Sequence, residues 1–210
     1  SITNGNINSI VPLSDGQILI GTLGGGINIF DKALETFSQP DYLLDERLNF
    51  VLTLFKSRDG IIWIGTANQG LFSLDPQTHQ IKKIAFEIDG KEIVPGNEIL
   101  SIVEDSIGNL WIGSLDGGLS FFHRDKGTLN FFLHNPEDKN TINSDKIRII
   151  LIDRKKRLWV GTWGGGLSLL YPGTRDFIPV FNSSESSNGI GQNEIQSLVE
   201  AEDGSIWVGT

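Results

Sequence analysis

The chain has 210 residues, 39% apolar and 20% charged, so it can bury a sizeable core and lies well away from disordered compositions. A net charge of -9 argues against a surface built to track nucleic-acid phosphates or anionic lipid. The absence of cysteine removes disulfide scaffolds, thiolate zinc sites and cysteine nucleophiles together. The longest apolar run, around Ile147 to Ile152, is broken by Arg148 and falls far short of the roughly 18 residues a membrane span needs, so no membrane insertion is expected of these residues. No signal peptide can be read in them either. Because even position 1 lacks methionine, we expect the chain to be a piece of something longer.

Glycine is the compositional outlier, with 25 residues, about 12% against a usual value of about 7%. Its placement is periodic. A Gly-Thr or Gly-Ser pair behind two apolar residues recurs at Gly21, Gly65, Gly113, Gly161 and Gly209, at spacings of 44, 48, 48 and 48 residues. Four of the five are preceded by tryptophan, at Trp63, Trp111, Trp159 and Trp207, and Leu19 stands in that place in the first.

Each unit reads as four short strands. The first unit runs from an apolar strand at Ile7 through an Asp15-Gly16 hairpin turn to Ile20-Gly21-Thr22, then through Leu23-Gly24-Gly25-Gly26 to a third strand and a fourth at Thr36-Phe37. The following units start at Val51, Ile99 and Ile147 and end near Phe86, Phe132 and Phe181. A fifth starts at Ile195 and stops after its second strand at Thr210. No segment carries a helical period. Four antiparallel strands in about 47 residues make one propeller blade, since blade repeats span roughly 40 to 50 residues and ankyrin, tetratricopeptide or leucine-rich repeats are shorter and mostly contain helix. The predicted fold is an all-β β-propeller arc: four complete blades over approximately 6–38, 50–87, 98–133 and 146–182, plus half a blade at 194–210, as part of a larger propeller. Tryptophan would fill the wedge between neighbouring blades. The open ends predict self-association through an unpaired edge near Ile206 to Thr210 and an apolar face at the N-terminus.

Few motifs carry chemistry. The runs Gly24-Gly25-Gly26 and Gly164-Gly165-Gly166 lack the following helix and the lysine of a phosphate cradle. His79, His123 and His134 have no partner at metal-ligand spacing and read as solvated turn residues, so neither metal nor cofactor is expected. Arg154-Lys155-Lys156-Arg157 replaces the Asp-Gly turn of the fourth unit and reads as a solvated hairpin tip, with an anion contact as the alternative. The Asn182-Ser183-Ser184 sequon has no bearing without a eukaryotic secretory source. The inner-strand positions Ser9, Thr53, Ser101, Ile149 and Ser197 are too inert for acid-base work, which argues against a propeller enzyme acting on polysaccharide, and no catalytic residue is assigned.

Recognition is the better fit. The loops leading into each first strand and the connections between second and third strands should share one face. That face would carry Leu23, Asn68, Asp116 and Trp163 from the connections, and Tyr42, Asp45, Asn143, Asp145 and Lys146 from the lead-in loops. Asn8, Arg148 and Gln196 join them from the inner strands. Trp163, Asp116, Asn68, Arg148, Lys146, Tyr42 and Gln196 are the candidate ligand-binding residues. Trp163 would stack on a sugar ring, or alternatively pack against the next lead-in loop, while Asp116 and Arg148 bind hydroxyls or a carboxylate.

The segments Ile99-Leu100-Ser101-Ile102-Val103-Glu104-Asp105, Gly108-Asn109-Leu110-Trp111-Ile112-Gly113 and Gly117-Gly118-Leu119, with the loop Asn135-Pro136-Glu137-Asp138-Lys139-Asn140-Thr141-Ile142-Asn143-Ser144, resemble two-component regulator propeller repeats. The first unit departs by lacking the tryptophan and the fourth by lacking the turn glycine. The resemblance implies the periplasmic or otherwise extracytoplasmic sensor region of a bacterial histidine kinase, hybrid two-component protein or diguanylate cyclase, often with seven-bladed propellers ahead of a membrane span. Several relatives sense oligosaccharides. None of the output-domain motifs is present in these residues, so any kinase or cyclase activity would lie elsewhere in the parent chain. A ligand-sensing module is the first expectation, and an enzyme or a purely structural spacer the alternatives.

Overall fold

The computed structural model describes residues 1–13, 16–88, 91–181 and 193–210. Asp15 of the first predicted turn and the Asn182 sequon lie outside them. The first sheet comprises β1 (Ile7–Pro12), β2 (Gln17–Thr22), β3 (Ile27–Asp31) and β4 (Thr36–Ser38), and the second β5 (Val51–Lys56), β6 (Ile62–Thr66), β7 (Leu71–Asp75) and β8 (Gln80–Lys83). A hairpin of β9 (Phe86–Ile88) and β10 (Lys91–Ile93) follows. The third sheet holds β11 (Ile99–Glu104), β12 (Leu110–Ser114), β13 (Leu119–His123) and β14 (Thr128–Phe132). The fourth holds β15 (Ile147–Ile152), β16 (Leu158–Thr162), β17 (Leu167–Leu170) and β18 (Phe177–Phe181). A two-stranded sheet, β19 (Ser197–Glu200) and β20 (Ile206–Gly209), completes the series. Within each sheet the strands lie side by side in chain order, the meander of a propeller blade.

Two details depart from the sequence reading. The second sheet ends at Lys83, with Leu74 opposite Ile81 and Phe72 opposite Lys83, so its outer strand carries no aromatic residue. Phe86 begins the additional hairpin instead, pairing with Ile93. The lead-in to the second sheet contains two single-turn 3-10 segments, Asp41–Leu43 and Glu46–Leu48. They exist because Leu43 and Leu48 must both reach the core, and Asp45 caps the second by accepting the Arg47 N–H at 3.0 Å.

The chain forms two compact units, residues 1–99 and 100–210. In the first, Leu19 and Ile27 from one sheet meet Val51, Ile62, Ile64 and Phe72 from the next in a single buried cluster. In the second, Leu119, Ile147, Ile150 and Val160 bury the face between the third and fourth sheets, flanked by Trp111 and Phe132. Trp159, Leu167 and Ile195 do the same between the fourth sheet and the last pair, with Leu198, Ile206 and Val208 against them. Each such side chain contributes about 1.5 to 3 kcal/mol when removed from water. The periodic glycine has a steric cause in these cores. A Cβ at Gly21 would lie 2.5 Å from Val51, one at Gly113 2.6 Å from Ile147, and one at Gly161 2.6 Å from Ile195. In every case the obstacle lies at, or two residues before, the start of the next sheet's first strand, so glycine sets how closely successive sheets approach.

Candidate functional site

The connection between the second and third strands is built the same way in the first and fourth sheets. Thr22 donates its hydroxyl to the Gly26 carbonyl at 2.9 Å and accepts the Gly25 N–H at 3.1 Å. Thr162 does likewise with Gly166 at 2.9 Å and Gly165 at 3.0 Å. The following lead-in loop closes the frame, because the Asn49 carbonyl accepts from Gly24 and Gly26, and the Asn193 carbonyl from Gly164 and Gly166. The residue after each threonine is pinned too: Leu23 bridges Phe50 and Trp163 bridges Glu194. The Gly-Thr signature is therefore a device for fixing backbone, and it holds one variable side chain outward.

At Trp163 that side chain is an indole, 42% exposed, whose backbone N–H donates to the Lys146 carbonyl at 2.8 Å. Arg148 lies over the ring, 5.5 Å from guanidinium carbon to centroid. The ladder between β15 and β16 pairs Ile147 with Thr162 and Ile149 with Gly161, so Arg148 is the extra residue of a β-bulge. A bulge re-aims the side chain it carries, and here it sets a cation on an aromatic face. An exposed indole with a guanidinium beside it offers a flat apolar surface for a sugar ring and donors for its oxygens.

Of the predicted site residues, the structure brings together Trp163, Arg148 and the backbone of Lys146. Gln196 is exposed in the same unit, one residue before β19, with its N–H bound to the Gly209 carbonyl at 2.8 Å. Asp116 is exposed in the third sheet's connection, one place beyond Leu115, the counterpart of Trp163. Asn68 is exposed in the matching place of the second sheet, in the first unit. Tyr42 is a correction. Its lead-in loop leaves the first sheet where Gln39 donates to the Gly25 carbonyl at 3.1 Å, then dips so that Tyr42 stacks flat on His79, centroids 4.1 Å apart. His79 belongs to the turn between third and fourth strands, so Tyr42 sits at the opposite end of the blade from the glycine connections. Burial of the neighbouring Leu43 forces that path.

Several other polar residues are structural. Asp45 is held by its own bidentate pair with Arg47, whose hydrogen bonds lower its pKa. Asp145 accepts the His134 N–H at 2.6 Å, and the His134 ring meets the Ile142 carbonyl at 2.7 Å. Asn143 donates its N–H to Ser168 at 3.3 Å, and Asn8 donates its amide to the Val51 carbonyl at 2.9 Å. The inner-strand Ser9 and Ser101 accept the Leu54 and Ile150 N–H groups, stitching each sheet to the next. His79 and His134 are exposed, as expected of turn residues, whereas His123 is half-buried and meets Phe121 edge-on at 4.5 Å. No cluster of metal-ligating side chains occurs among the described residues.

The basic tip is likewise a scaffold. The buried carboxylate of Asp153 accepts the backbone N–H of Arg157 at 2.9 Å, its guanidinium at 2.5 Å and the Trp159 indole at 2.9 Å. Burial opposes that charge, but the bonds from Trp159 and Arg157 outweigh it and hold its pKa below the ordinary value. Arg154 reaches the last pair of strands, donating to Glu200 and to the Glu202 carbonyl, both at 2.9 Å. Lys156 adopts φ +61° in the place of the missing glycine. Asp153, which organises this hub, lies just outside the charge run at 154–157.

A second concavity lies in the first unit. It measures about 500 Å³ and is lined by Gln17, Tyr42, Lys56, Arg58 and His79, with Asp59 and Asp75 at its walls. The signal for it in the sequence was a single position: the last residue of the first strand is Pro12, Lys56, Glu104, Ile152 and Glu200 in successive sheets.

Comparison with known proteins shows what the repeat is similar to. The family described as two component regulator propeller matches at residues 45–68, 93–116, 141–164 and 189–210. No curated protein matches the chain. Among solved structures it resembles the extracellular domain named as that of a one component system, BT4673, of B. thetaiotaomicron, with 22% identity and a TM-score of 0.74 over 97% of this chain and 28% of that one. PorZ, a surface component of the type-IX secretion system of Porphyromonas gingivalis, is similar at 19% identity and TM-score 0.72 over 97% of this chain and 31% of that one. Virginiamycin B lyase from Staphylococcus aureus shares 14% identity at TM-score 0.65, over 97% of this chain and 62% of that one. At these identities the likeness establishes the fold. The chain spans less than two thirds of each of these structures.

Proposed function

Starting from a chain that carries four two component regulator propeller repeats, we propose that it is a ligand-recognition module from the extracytoplasmic sensor region of a bacterial signalling protein. In this reading a small polar ligand such as an oligosaccharide stacks on Trp163 and bonds to Arg148, and the binding free energy biases an output domain elsewhere in the parent protein. The observation that carries it is the Trp163–Arg148 pair, displayed by a bulge and a closed glycine frame. The described residues contain no helix long and apolar enough to cross a membrane, which fits a region attached to a span rather than containing one. Extracellular sensor domains among the similar folds support the same assignment.

The reading treats the chain as a binder and not an enzyme, since the inner-strand hydroxyls of Ser9 and Ser101 are spent on neighbouring backbone. It also has the chain associate through its uncovered faces, where Ile10 is 57% and Trp207 69% exposed. Thermal-shift screening against a glycan library tests the proposal: at least one stabilising hit without turnover is expected, and it should vanish in Trp163→Ala. Turnover of any glycan, or no hit at all, counts against it.

A further inference from the structure

The cleft lies in the first compact unit, at the end of its blades away from their glycine connections, and Trp163 belongs to the other unit, so nothing in the sensor reading employs it. Its charge pattern is unlike that of the corresponding places in the other sheets. At the end of the first strand, Glu104 pairs with Arg124 at 3.7 Å and Glu200 with Arg154 at 3.8 Å. The second sheet places Lys56 there instead, half-buried, and among the described residues it makes no ion pair. The two carboxylates of the cleft are occupied by their own turns. Asp59 accepts from the Ser57 hydroxyl at 2.5 Å and the Ile61 N–H at 3.4 Å. Asp75 accepts from the N–H groups of Gln77 and Thr78 and from the Thr78 hydroxyl, with the charge of His79 also felt there. Asp59 and Asp75 keep their charge but are held by these bonds, and neither closes an ion pair with Lys56.

His79 adds a second argument. It holds φ +60° in a turn whose counterpart in the third sheet is Gly127 at φ +63°, so bare glycine suffices for the backbone. The first sheet carries Glu35 at φ +54° in the same place, so what sets His79 apart is its ring, exposed overall and stacked on one face against Tyr42. The result is an aromatic wall in a cleft that Lys56 and Arg58 also line.

We infer that this cleft binds a small organic acid of about monosaccharide size, its carboxylate against Lys56 and its body against the outer face of His79. The size follows from the volume of about 500 Å³, too large for a bare oxyanion and within the range of small-molecule sites. The charge follows from Lys56, since a cation in a partly enclosed site attracts a carboxylate with a strength that solvent only partly screens.

The test uses the 15N-labelled full chain, titrated with glucuronate, glucose and inorganic sulfate, reading the amides of Lys56 and of residues 77–80. Glucuronate should shift them saturably, whereas glucose, which keeps the ring and lacks the carboxylate, should not. Lys56→Glu, which installs the residue the third sheet carries, should weaken glucuronate at least about tenfold. His79→Gly should weaken it less, with both variants retaining the wild-type thermal midpoint to within a few degrees. Should Lys56→Glu fail to fold, Lys56→Gln carries the same expectation. No saturable shift with glucuronate, equal shifts with glucose, equal affinity for sulfate, or unchanged affinity in both Lys56 variants would each overturn the inference. Because Trp163 is untouched, these outcomes are separate from the fate of the sensor reading.

Discussion

Leu23 and Trp163 occupy the same place in two sheets, held by the same hydrogen bonds, and yet they do different things. Each follows the frame threonine, each bridges the next lead-in loop, and the glycines after each bind one asparagine carbonyl. The difference lies in the bulge residue beneath them. In the first sheet Asn8 is tied to the Val51 carbonyl and acts as a stitch between sheets, whereas in the fourth Arg148 is aimed at the indole. Backbone geometry in this repeat is thus fixed by glycine, threonine and asparagine, and the functional content is carried by side chains that can be exchanged without disturbing it.

The largest effect should come from breaking the frame. Gly161→Val puts side-chain atoms where Ile195 already lies, and with 2.6 Å from the first added carbon the sheets must part. We expect a loss of about 4 kcal/mol or more, or no soluble folded chain, as read by urea denaturation. Next is the hub under the basic tip. Asp153→Ala leaves the Trp159 indole and Arg157 without their acceptor and should cost about 3 kcal/mol in the same assay.

The Asp153 pKa gives this hub a pH signature. Its folded value is below its unfolded value, so the stabilisation is complete above the unfolded pKa of about 3.9 and is lost as pH falls through the folded one. Acid titration followed by tryptophan fluorescence should therefore show a loss of stability below about pH 4 that is shallower in Asp153→Asn.

Contrasts between equivalent positions sharpen the comparison. Trp159 is 8% exposed and Trp207 69%, although both occupy the same repeat position. Trp159→Ala should cost about 3 to 5 kcal/mol. Trp207→Ala should cost less than about 0.5 kcal/mol while the chain is monomeric. If the exposed faces pair in solution, light scattering at micromolar concentration shows association that Trp207→Ala reduces. The smallest contrast concerns Ser168, which accepts the Asn143 N–H, and Ser120, whose buried hydroxyl has no partner among the described residues. Ser168→Ala should lose about 1 kcal/mol and Ser120→Ala should be neutral or stabilising.

How much of this the sequence disclosed follows from which forces act locally. The sheets were readable because the Gly-Thr pair answers to a steric demand repeated at every junction, and Trp163 and Arg148 could be placed from the phase of that repeat. Tyr42 was misplaced, since the path of a lead-in loop depends on where Leu43 and Leu48 find burial, which no spacing records. The hairpin of β9 and β10 lies between repeats and has no periodic signature. The role of Arg157 stayed hidden in its charge run because its partner is a single buried carboxylate four residues earlier.

Isothermal titration of the strongest glycan hit against the wild-type chain and a Trp163→Leu/Arg148→Asn variant, which rebuilds the first sheet's pair of residues in the fourth, bears on the central claim most directly. The variant should keep the wild-type thermal midpoint within a few degrees and lose affinity at least about tenfold. Unchanged affinity in a folded variant, or a variant that no longer folds, would contradict the separation of frame from displayed side chains.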